Sequence, residues 1–207
     1  LFEAFPKGTA FLALPVPPIK DELPLAAATA FSIDDSATTE IDDALSVQGL
    51  GSGTVVFGVH IAAPGLAMAP DSPLDRVARG RLSTVYMPGW KITMLPDAVV
   101  QAYTLTEGRE CPAVSLYITL DEASLEVRSH ETRLERVAIA TNLRHDQLDA
   151  VVTEDSLEGR AAAGYPHAAE LAFAFRLARA LKARREVQRG KPETFNRPDY
   201  TFRLDGD

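Results

Sequence analysis

Residues 33–45 read Ile-Asp-Asp-Ser-Ala-Thr-Thr-Glu-Ile-Asp-Asp-Ala-Leu and place five carboxylates between two strand-like segments. The acidic residues are Asp34, Asp35, Glu40, Asp42 and Asp43. Crowding carboxylates at one turn is costly in repulsion and desolvation unless cations compensate the charge. Hard divalent cations with oxygen ligands, Mg²⁺ or Mn²⁺, are the natural compensation. The stretch therefore predicts a metal-binding bend between two strands.

Three other interpretations of the bend compete with a metal site. An exposed acidic turn needs no metal at all. A cluster at a helix N-terminus is disfavoured, because Ile33 and Ala44–Val47 read as strand. A calcium loop of the EF-hand kind fits poorly, since Thr39 stands at its sixth position and Leu45 at its twelfth, counting from Asp34.

The segments around the bend alternate as β-strands do. Thr29–Ile33 precedes the bend and Leu45–Val47 follows it. Thr54–Ile61 is predicted to pair with the second segment as a hairpin across the glycine-rich loop 49–53. In this third segment one face carries Val55, Phe57, Val59 and Ile61, and the other carries Val56, Gly58 and His60.

The remaining pattern predicts more strands and then helices. Ala113–Leu120 and Leu125–Val137 alternate around a turn and indicate antiparallel strands. Helices are predicted from the Ser72 cap to near Leu82, from an Asn142 cap through Val152, and over Ala168–Arg189 with Gly190 as terminator. Strands first and helices later favour an α+β fold with a mixed, largely antiparallel sheet packed by helices.

Composition limits the classes of function. The 207 residues include 21 Lys and Arg against 29 Asp and Glu, and a net charge of −8 argues against passive coating of nucleic acid. Residues 128–191 carry 12 basic and 9 acidic side chains, which suits a solvated helix face or a phosphate-handling stripe. The single cysteine, Cys111, excludes an intrachain disulfide scaffold. No stretch resembles a signal peptide or a membrane helix, so a cytoplasmic setting is expected.

The chain divides at a change of composition. Five of the 14 prolines fall in the first 24 residues, which predicts that residues 1–26 form an extended lead-in or linker. Residues 27–207 form the predicted domain. Because residue 1 is Leu rather than Met, we expect a piece of a longer polypeptide.

The acidic stretch and four later motifs together resemble a known family. Ile33-Asp34, five residues, and then Glu40-Ile41-Asp42-Asp43-Ala44-Leu45 is similar to the opening of the RNB catalytic domain of ribonuclease II and ribonuclease R exoribonucleases. The matches that follow in order are Gly58–Ala62, Ser72–Gly89, Met94–Pro96 and Arg197–Phe202. The resemblance covers nearly all of residues 30–207 and identifies an N-terminal part of an RNB-type domain.

The resemblance implies a function and a set of site residues. The family hydrolyses single-stranded RNA from the 3′ end, releasing nucleoside 5′-monophosphates with two divalent metal ions. By similarity Asp34, Asp42 and Asp43 are catalytic residues and metal ligands with Glu40, the ion being Mg²⁺ or Mn²⁺. RNA-binding candidates are Tyr86 and Phe195 by base stacking, His145 in the place of a channel tyrosine, and Arg81. Arg81 has the alternative role of bracing the acidic loop, and Tyr86 that of a core residue.

Some residues depart from the family pattern. Glu40 stands where the family usually has Asp, and Ala63 replaces a common aspartate. A Thr-Ser-Pro-Ile-Arg-Arg-Tyr segment, which supplies phosphate-pocket arginines in the family, is not found before Asp207. We expect that segment and OB-type RNA-binding domains in the parent chain. Single-stranded RNA is the expected partner of a monomer that does not bind membranes. The alternative is an RNB-like RNA-binding protein without nuclease activity.

Overall fold

The computed structural model describes residues 10, 11, 14, 22–88 and 90–193, which fall into two compact units. The barrel unit consists of residues 23–62 and 105–193. The insert unit consists of Ala63–Thr104 together with the described residues before Leu23. Most of the predicted lead-in lies outside the described residues, and the first described strand begins at Leu25.

The described residues form strands and helices with the following bounds. The strands are β1 (Leu25–Asp34), β2 (Asp43–Gln48), β3 (Thr54–Ala62), β4 (Val85–Met87), β5 (Trp90–Ile92), β6 (Glu110–Asp121) and β7 (Val127–Arg144). The α-helices are α1 (Pro73–Arg81), α2 (Asp97–Tyr103), α3 (His145–Asp149), α4 (Glu154–Leu157) and α5 (Ala168–Arg189), and a 3₁₀ turn spans Pro64–Ala67. Among these helices none is long and apolar enough to span a lipid bilayer.

Five strands of the barrel unit close on themselves in the order β1, β2, β3, β6, β7. Four of the pairs are antiparallel, including the predicted hairpin of β2 and β3. The fifth pair, β1 with β7, is parallel and closes the barrel, with Ser32 opposite Asn142 and Asp34 opposite Arg144. The predicted fold, a mixed and largely antiparallel sheet packed by helices, is confirmed. The closure of this sheet into a barrel was not predicted.

The two faces of the barrel sheet are covered differently. Outside, Val55 and Phe57 of β3 pack against Phe173 and Leu177 of α5, the helix predicted over Ala168–Arg189. Ile61, farther along the same face, is 46% exposed. Inside, small and apolar side chains fill the barrel, mainly Ala26, Ala30, Ala44, Cys111, Ala113, Val137 and Ile139. Both faces of β3 are therefore buried over much of its length, which alternation alone does not predict.

Local helix signals were correct in two cases and misleading in one. Ser72 Oγ accepts a hydrogen bond from the Asp75 N–H at 3.2 Å, with Pro73 as the first residue of α1. Gly190 ends α5 in the left-handed conformation at φ 66°. The predicted Asn142 cap is wrong, because Asn142 lies within β7 and α3 begins only at His145. Its pairing with β1, far away in sequence, keeps the chain extended there.

Candidate active site

The acidic bend, residues 35–42, joins the end of β1 to the start of β2. Asp34 is the last residue of β1 and Asp43 the first residue of β2, while Asp42 lies just before the strand. In a regular strand neighbouring side chains point to opposite faces. Because Asp42 precedes the regular strand, that alternation does not force the carboxylates of Asp42 and Asp43 apart.

The second half of the bend is fixed through its backbone. Ile41 is buried in the barrel core, and its carbonyl accepts a hydrogen bond from the Leu105 N–H at 3.0 Å. The Asp42 carbonyl accepts from the Ala62 N–H at 2.8 Å. Burial of one apolar side chain thus positions the acidic residues on either side of it, whose side chains stay outside the core.

The first half of the bend is held by Arg144, at the end of β7. Its Nη1 donates to the carbonyl of Asp35 at 2.9 Å and to that of Thr38 at 3.3 Å. The Ser36 hydroxyl donates to the Asp146 carboxylate in α3. Bonds from a charged donor are stronger than neutral ones, so Arg144 is the main clamp on this segment. No pattern in the sequence singles out Arg144, because its closeness to the bend arises from the parallel pairing of β1 with β7.

The carboxylate of Asp34 is oriented by a chain of polar groups inside the barrel unit. The Ser32 hydroxyl donates to Asp34 Oδ2 at 2.5 Å, and Asn142 Nδ2 donates to Ser32 Oγ at 2.9 Å. The same amide nitrogen donates to the Leu105 carbonyl at 2.9 Å. Glu107 fixes Asn142 further, since its carboxylate accepts from the Asn142 backbone N–H at 3.0 Å. Ser32 and Asn142 therefore position Asp34, and sequence reasoning identified neither.

The negative charge of Asp34 acts on the carboxyl group of Asp43. The pKa of Asp43 is raised, first by partial burial of the carboxyl group and second by the negative charge of Asp34. Two carboxylates that repel each other are a site where a cation is favourable. Of the predicted acidic residues, Asp34 and Asp43 lie close enough for the charge of one to act on the other.

The described residues do not complete a metal centre by themselves. Across residues 22–88 and 90–193, no three His, Cys, Asp or Glu side chains lie close enough together to hold one ion. The pair Asp34 and Asp43 has the chemistry of a divalent-ion site, but the predicted set of four with Glu40 and Asp42 does not close around one point. The assignment of these four residues as ligands stays a prediction.

The insert unit presents Tyr86 on an exposed hairpin of β4 and β5. Its side chain is 70% exposed and lies opposite Lys91 in the strand register, so it is not a core tyrosine. Arg81 braces this hairpin, because its Nη1 donates to the Thr93 carbonyl at 2.7 Å. Its guanidinium also stacks on Phe11, 3.7 Å from the ring centre. The structure thus gives Arg81 a bracing contact in the hairpin.

The other two RNA-binding candidates differ in what the structure shows. His145 is exposed at the start of α3 and lines a cavity of about 410 Å³ with Ile33, Leu148, Asp149 and residues of α5. The cavity places His145 beside the residue that precedes Asp34 in β1. Phe195 lies outside the described residues.

A polar network fills the middle of the barrel around His60. The fully buried imidazole lies 2.8 Å from Ser115 Oγ through Nδ1 and 2.9 Å from Ser46 Oγ through Nε2. It meets the Tyr117 ring edge-on, and the Tyr117 hydroxyl donates to the buried Glu135 at 2.6 Å. Burial lowers the pKa of His60 to about 4, against the opposing effect of Glu135. The imidazole is therefore neutral and structural at ordinary pH.

Most cations of α5 that the structure describes are engaged locally. Arg179 pairs with Glu154 at 3.1 Å and with Glu158 at 2.7 Å, and Arg185 pairs with Glu193 at 2.8 Å. Arg184 donates to the Leu125 carbonyl at 3.1 Å. These contacts favour the solvated helix face over the phosphate-handling stripe for this basic stretch.

The sequence matches the RNB domain over residues 23–207. This chain belongs to the RNB domain family. Exoribonuclease 2 of Edwardsiella piscicida is 35% identical over 180 residues, which cover 84% of this chain and 26% of that protein. The RNB chain spans about a quarter or less of the length of the curated relatives that it matches.

Solved structures share the fold of this RNB domain chain. Yeast Ssd1, described as a pseudonuclease, superposes with a TM-score of 0.67 at 25% identity, over 88% of this chain and 21% of that one. Mycoplasma genitalium RNase R, solved with ribose-methylated single-stranded RNA, superposes with a TM-score of 0.66 at 18% identity. That superposition covers 86% of this chain and 27% of RNase R. The expected family is confirmed.

Proposed function

We propose that this RNB domain acts in the hydrolysis of single-stranded RNA from its 3′ end, releasing nucleoside 5′-monophosphates with dependence on a divalent metal ion. The observation that carries the proposal is the placement of Asp34 at the end of β1 and Asp43 at the start of β2, on either side of the acidic bend. The proposal is supported by the match of residues 23–207 to the RNB domain and by a relative named Exoribonuclease 2.

The need for a cation follows from charge. RNA carries a phosphate at every nucleotide. The acidic bend, which would bind the 3′ end of the RNA, already carries several carboxylates. Mg²⁺ or Mn²⁺ with oxygen ligands would offset the repulsion between the RNA phosphate and the carboxylates of the bend. The proposed carboxylate ligands are Asp34, Glu40, Asp42 and Asp43. Ser32, Asn142 and Arg144 would hold the bend and the Asp34 carboxylate in place.

RNA binding is assigned to residues other than these carboxylates. Tyr86 offers an exposed ring on which a base can stack whatever its identity, as degradation without sequence preference requires. His145 and Phe195 remain proposed stacking residues. We further propose that the parent polypeptide supplies the phosphate-binding arginines and OB-type domains expected from the family.

A second candidate function is RNA binding without cleavage. Two observations favour it: Glu40 stands where the family usually has Asp, and Ssd1, a pseudonuclease, shares the fold at 25% identity. An added methylene displaces a carboxylate by about one carbon–carbon bond length, which matters for Mg²⁺ because its octahedral geometry tolerates little error.

Incubation of the full-length parent polypeptide with 5′-labelled poly(A) separates the two functions. We expect a ladder of shortened products with Mg²⁺ or Mn²⁺ and none in EDTA. RNA that is retained but never shortened would establish the binder instead. Asp42→Asn should abolish turnover and keep RNA affinity within about tenfold, because it removes an acidic group and not a stacking platform. Asp155→Asn, in α4, is the matched control and should cut at the parental rate. Cutting by Asp42→Asn at the parental rate would refute the site assignment.

A further inference from the structure

The hairpin of β4 and β5 carries an aromatic side chain on each of its faces. Met87 lies opposite Trp90 in the register, and Tyr86 lies opposite Lys91. Directly opposed residues of an antiparallel pair share a face, and neighbours along a strand do not. Trp90 and Met87 therefore occupy the face opposite to that of Tyr86 and Lys91.

The Trp90 face is apolar and open to solvent. Trp90 is 61% exposed, Val85 45% and Met87 41%. Large apolar side chains that are grouped and exposed mark interaction sites more often than scattered single ones do. The indole is the largest stacking surface among protein side chains, and its exposure on a short hairpin makes it accessible to a flat ligand.

The charge around the hairpin specifies the kind of ligand. Residues 76–96 contain four cations and no carboxylate, although the chain as a whole has a net charge of −8. The cations are Arg76, Arg79, Arg81 and Lys91, of which Arg79 is ion-paired with Asp71 and Asp75. A ligand that combines anionic groups with flat apolar faces complements this segment, and a nucleic acid strand has both. A cationic or purely apolar protein surface would match it less well.

The hairpin is held in a defined position within the insert unit. Arg81 at the end of α1 donates to the Thr93 carbonyl at 2.7 Å, just beyond β5. The Met94 N–H donates to Thr84 Oγ1 at 3.1 Å, which ties the two ends of the hairpin together. An indole on a braced hairpin loses little freedom when a base stacks on it.

We propose that Trp90 is a base-stacking site for single-stranded RNA, separate from Tyr86 and on the opposite face of the same hairpin. The proposal rests on the proposed function, because it takes RNA as the ligand of this domain. One strand would meet the hairpin at two aromatic surfaces, with Met87 widening the surface beside Trp90 and Lys91 supplying charge near the backbone of the RNA.

Trp90 is the only tryptophan in the 207 residues, which provides a direct probe. The full chain in EDTA, where no hydrolysis is expected, is titrated with oligo(A) of twelve nucleotides and with an abasic oligomer of equal length and charge. The emission of Trp90 is obtained as the difference between the parental chain and Trp90→Phe. RNA affinity is measured in parallel by anisotropy for the parent, Trp90→Ala, Trp90→Phe and Leu82→Ala, the last being a control at another exposed apolar residue.

Quenching by oligo(A) but not by the abasic oligomer, with an affinity loss of about fivefold or more in Trp90→Ala alone, would support stacking. Trp90→Phe should retain most of the affinity, because it keeps an aromatic face. Normal RNA affinity without quenching would overturn the Trp90 site and leave the proposed function standing. Unchanged RNA affinity in Trp90→Ala with a changed oligomeric state would assign the face to protein contact and overturn the site. Failure of every variant to bind RNA would overturn both proposals.

Discussion

Asn142 Nδ2 donates a hydrogen bond to Ser32 Oγ at 2.9 Å across the parallel strand pair that closes the barrel. The same Ser32 hydroxyl donates a hydrogen bond to the Asp34 carboxylate and thereby orients it. The strand pair that closes the barrel and the position of the first acidic residue are therefore connected. A residue on the far strand, more than a hundred positions away, positions the side chain at the start of the acidic bend.

A double-mutant cycle on Ser32→Ala and Asn142→Ala should reveal this connection. Each single change should lower the free energy of unfolding, and the two together should cost less than their sum by roughly 0.5–1.5 kcal/mol, because they remove the same hydrogen bond. Urea unfolding of the four proteins measures the coupling. Strictly additive effects would show that the bond contributes nothing to stability.

Arg144→Ala should loosen the acidic bend. The change removes a charged donor from the carbonyls of Asp35 and Thr38, and we expect a loss of about 1–2 kcal/mol with faster proteolysis in residues 35–42. Arg160→Ala is the matched control, since its exposed pair with Asp155 should contribute less than about 1 kcal/mol. Equal proteolysis of the two variants would contradict the proposed role of Arg144 in holding residues 35–42.

Stability should fall in acid because of His60. The native pKa is about 4 and the unfolded value is near 6.5, so the unfolded state binds the proton more readily. The contribution of neutral His60 is complete above pH 6.5 and is progressively lost below it, by about 3 kcal/mol at pH 4. Urea unfolding from pH 7 to pH 4 measures the loss.

Variants of two histidines provide the control for this pH dependence. His60→Asn removes the titrating group and should flatten the profile, although it lowers stability at pH 7 by opening a packed polar network. His145→Gln, at an exposed position, should leave the profile as it is. A parental slope in His60→Asn would assign the acid sensitivity to other groups.

Tyr86→Ala should change the length of the final RNA products more than the rate at which they form. The exposed ring is proposed to hold a base by stacking worth about 1–3 kcal/mol, and short products depend most on each remaining contact. Denaturing gels of labelled poly(A) after complete digestion measure the end products. Tyr86→Phe should keep the parental length, and unchanged products in Tyr86→Ala would exclude the stacking role.

Sequence patterns predicted the parts of the structure that depend on near neighbours. The alternation in Thr54–Ile61 and its glycine-rich loop predicted the hairpin of β2 and β3, and the Ser72-Pro73 pair predicted the start of α1. The acidic cluster indicated a candidate site, because its five carboxylates occur within ten residues of the sequence. Each of these signals acts within a few residues along the chain.

Long-range pairing decided the rest. Asn142 has the chemistry of a helix cap, yet pairing with β1 keeps it extended and turns its amide toward Ser32. The neutral state of His60 depends on the closed barrel that removes it from water. Sequence by itself determined which residues carry charge and roughly where the five barrel strands lie, since both follow from local composition and period. Only the tertiary structure decided which of them meet, because barrel closure joins strands that no local pattern connects.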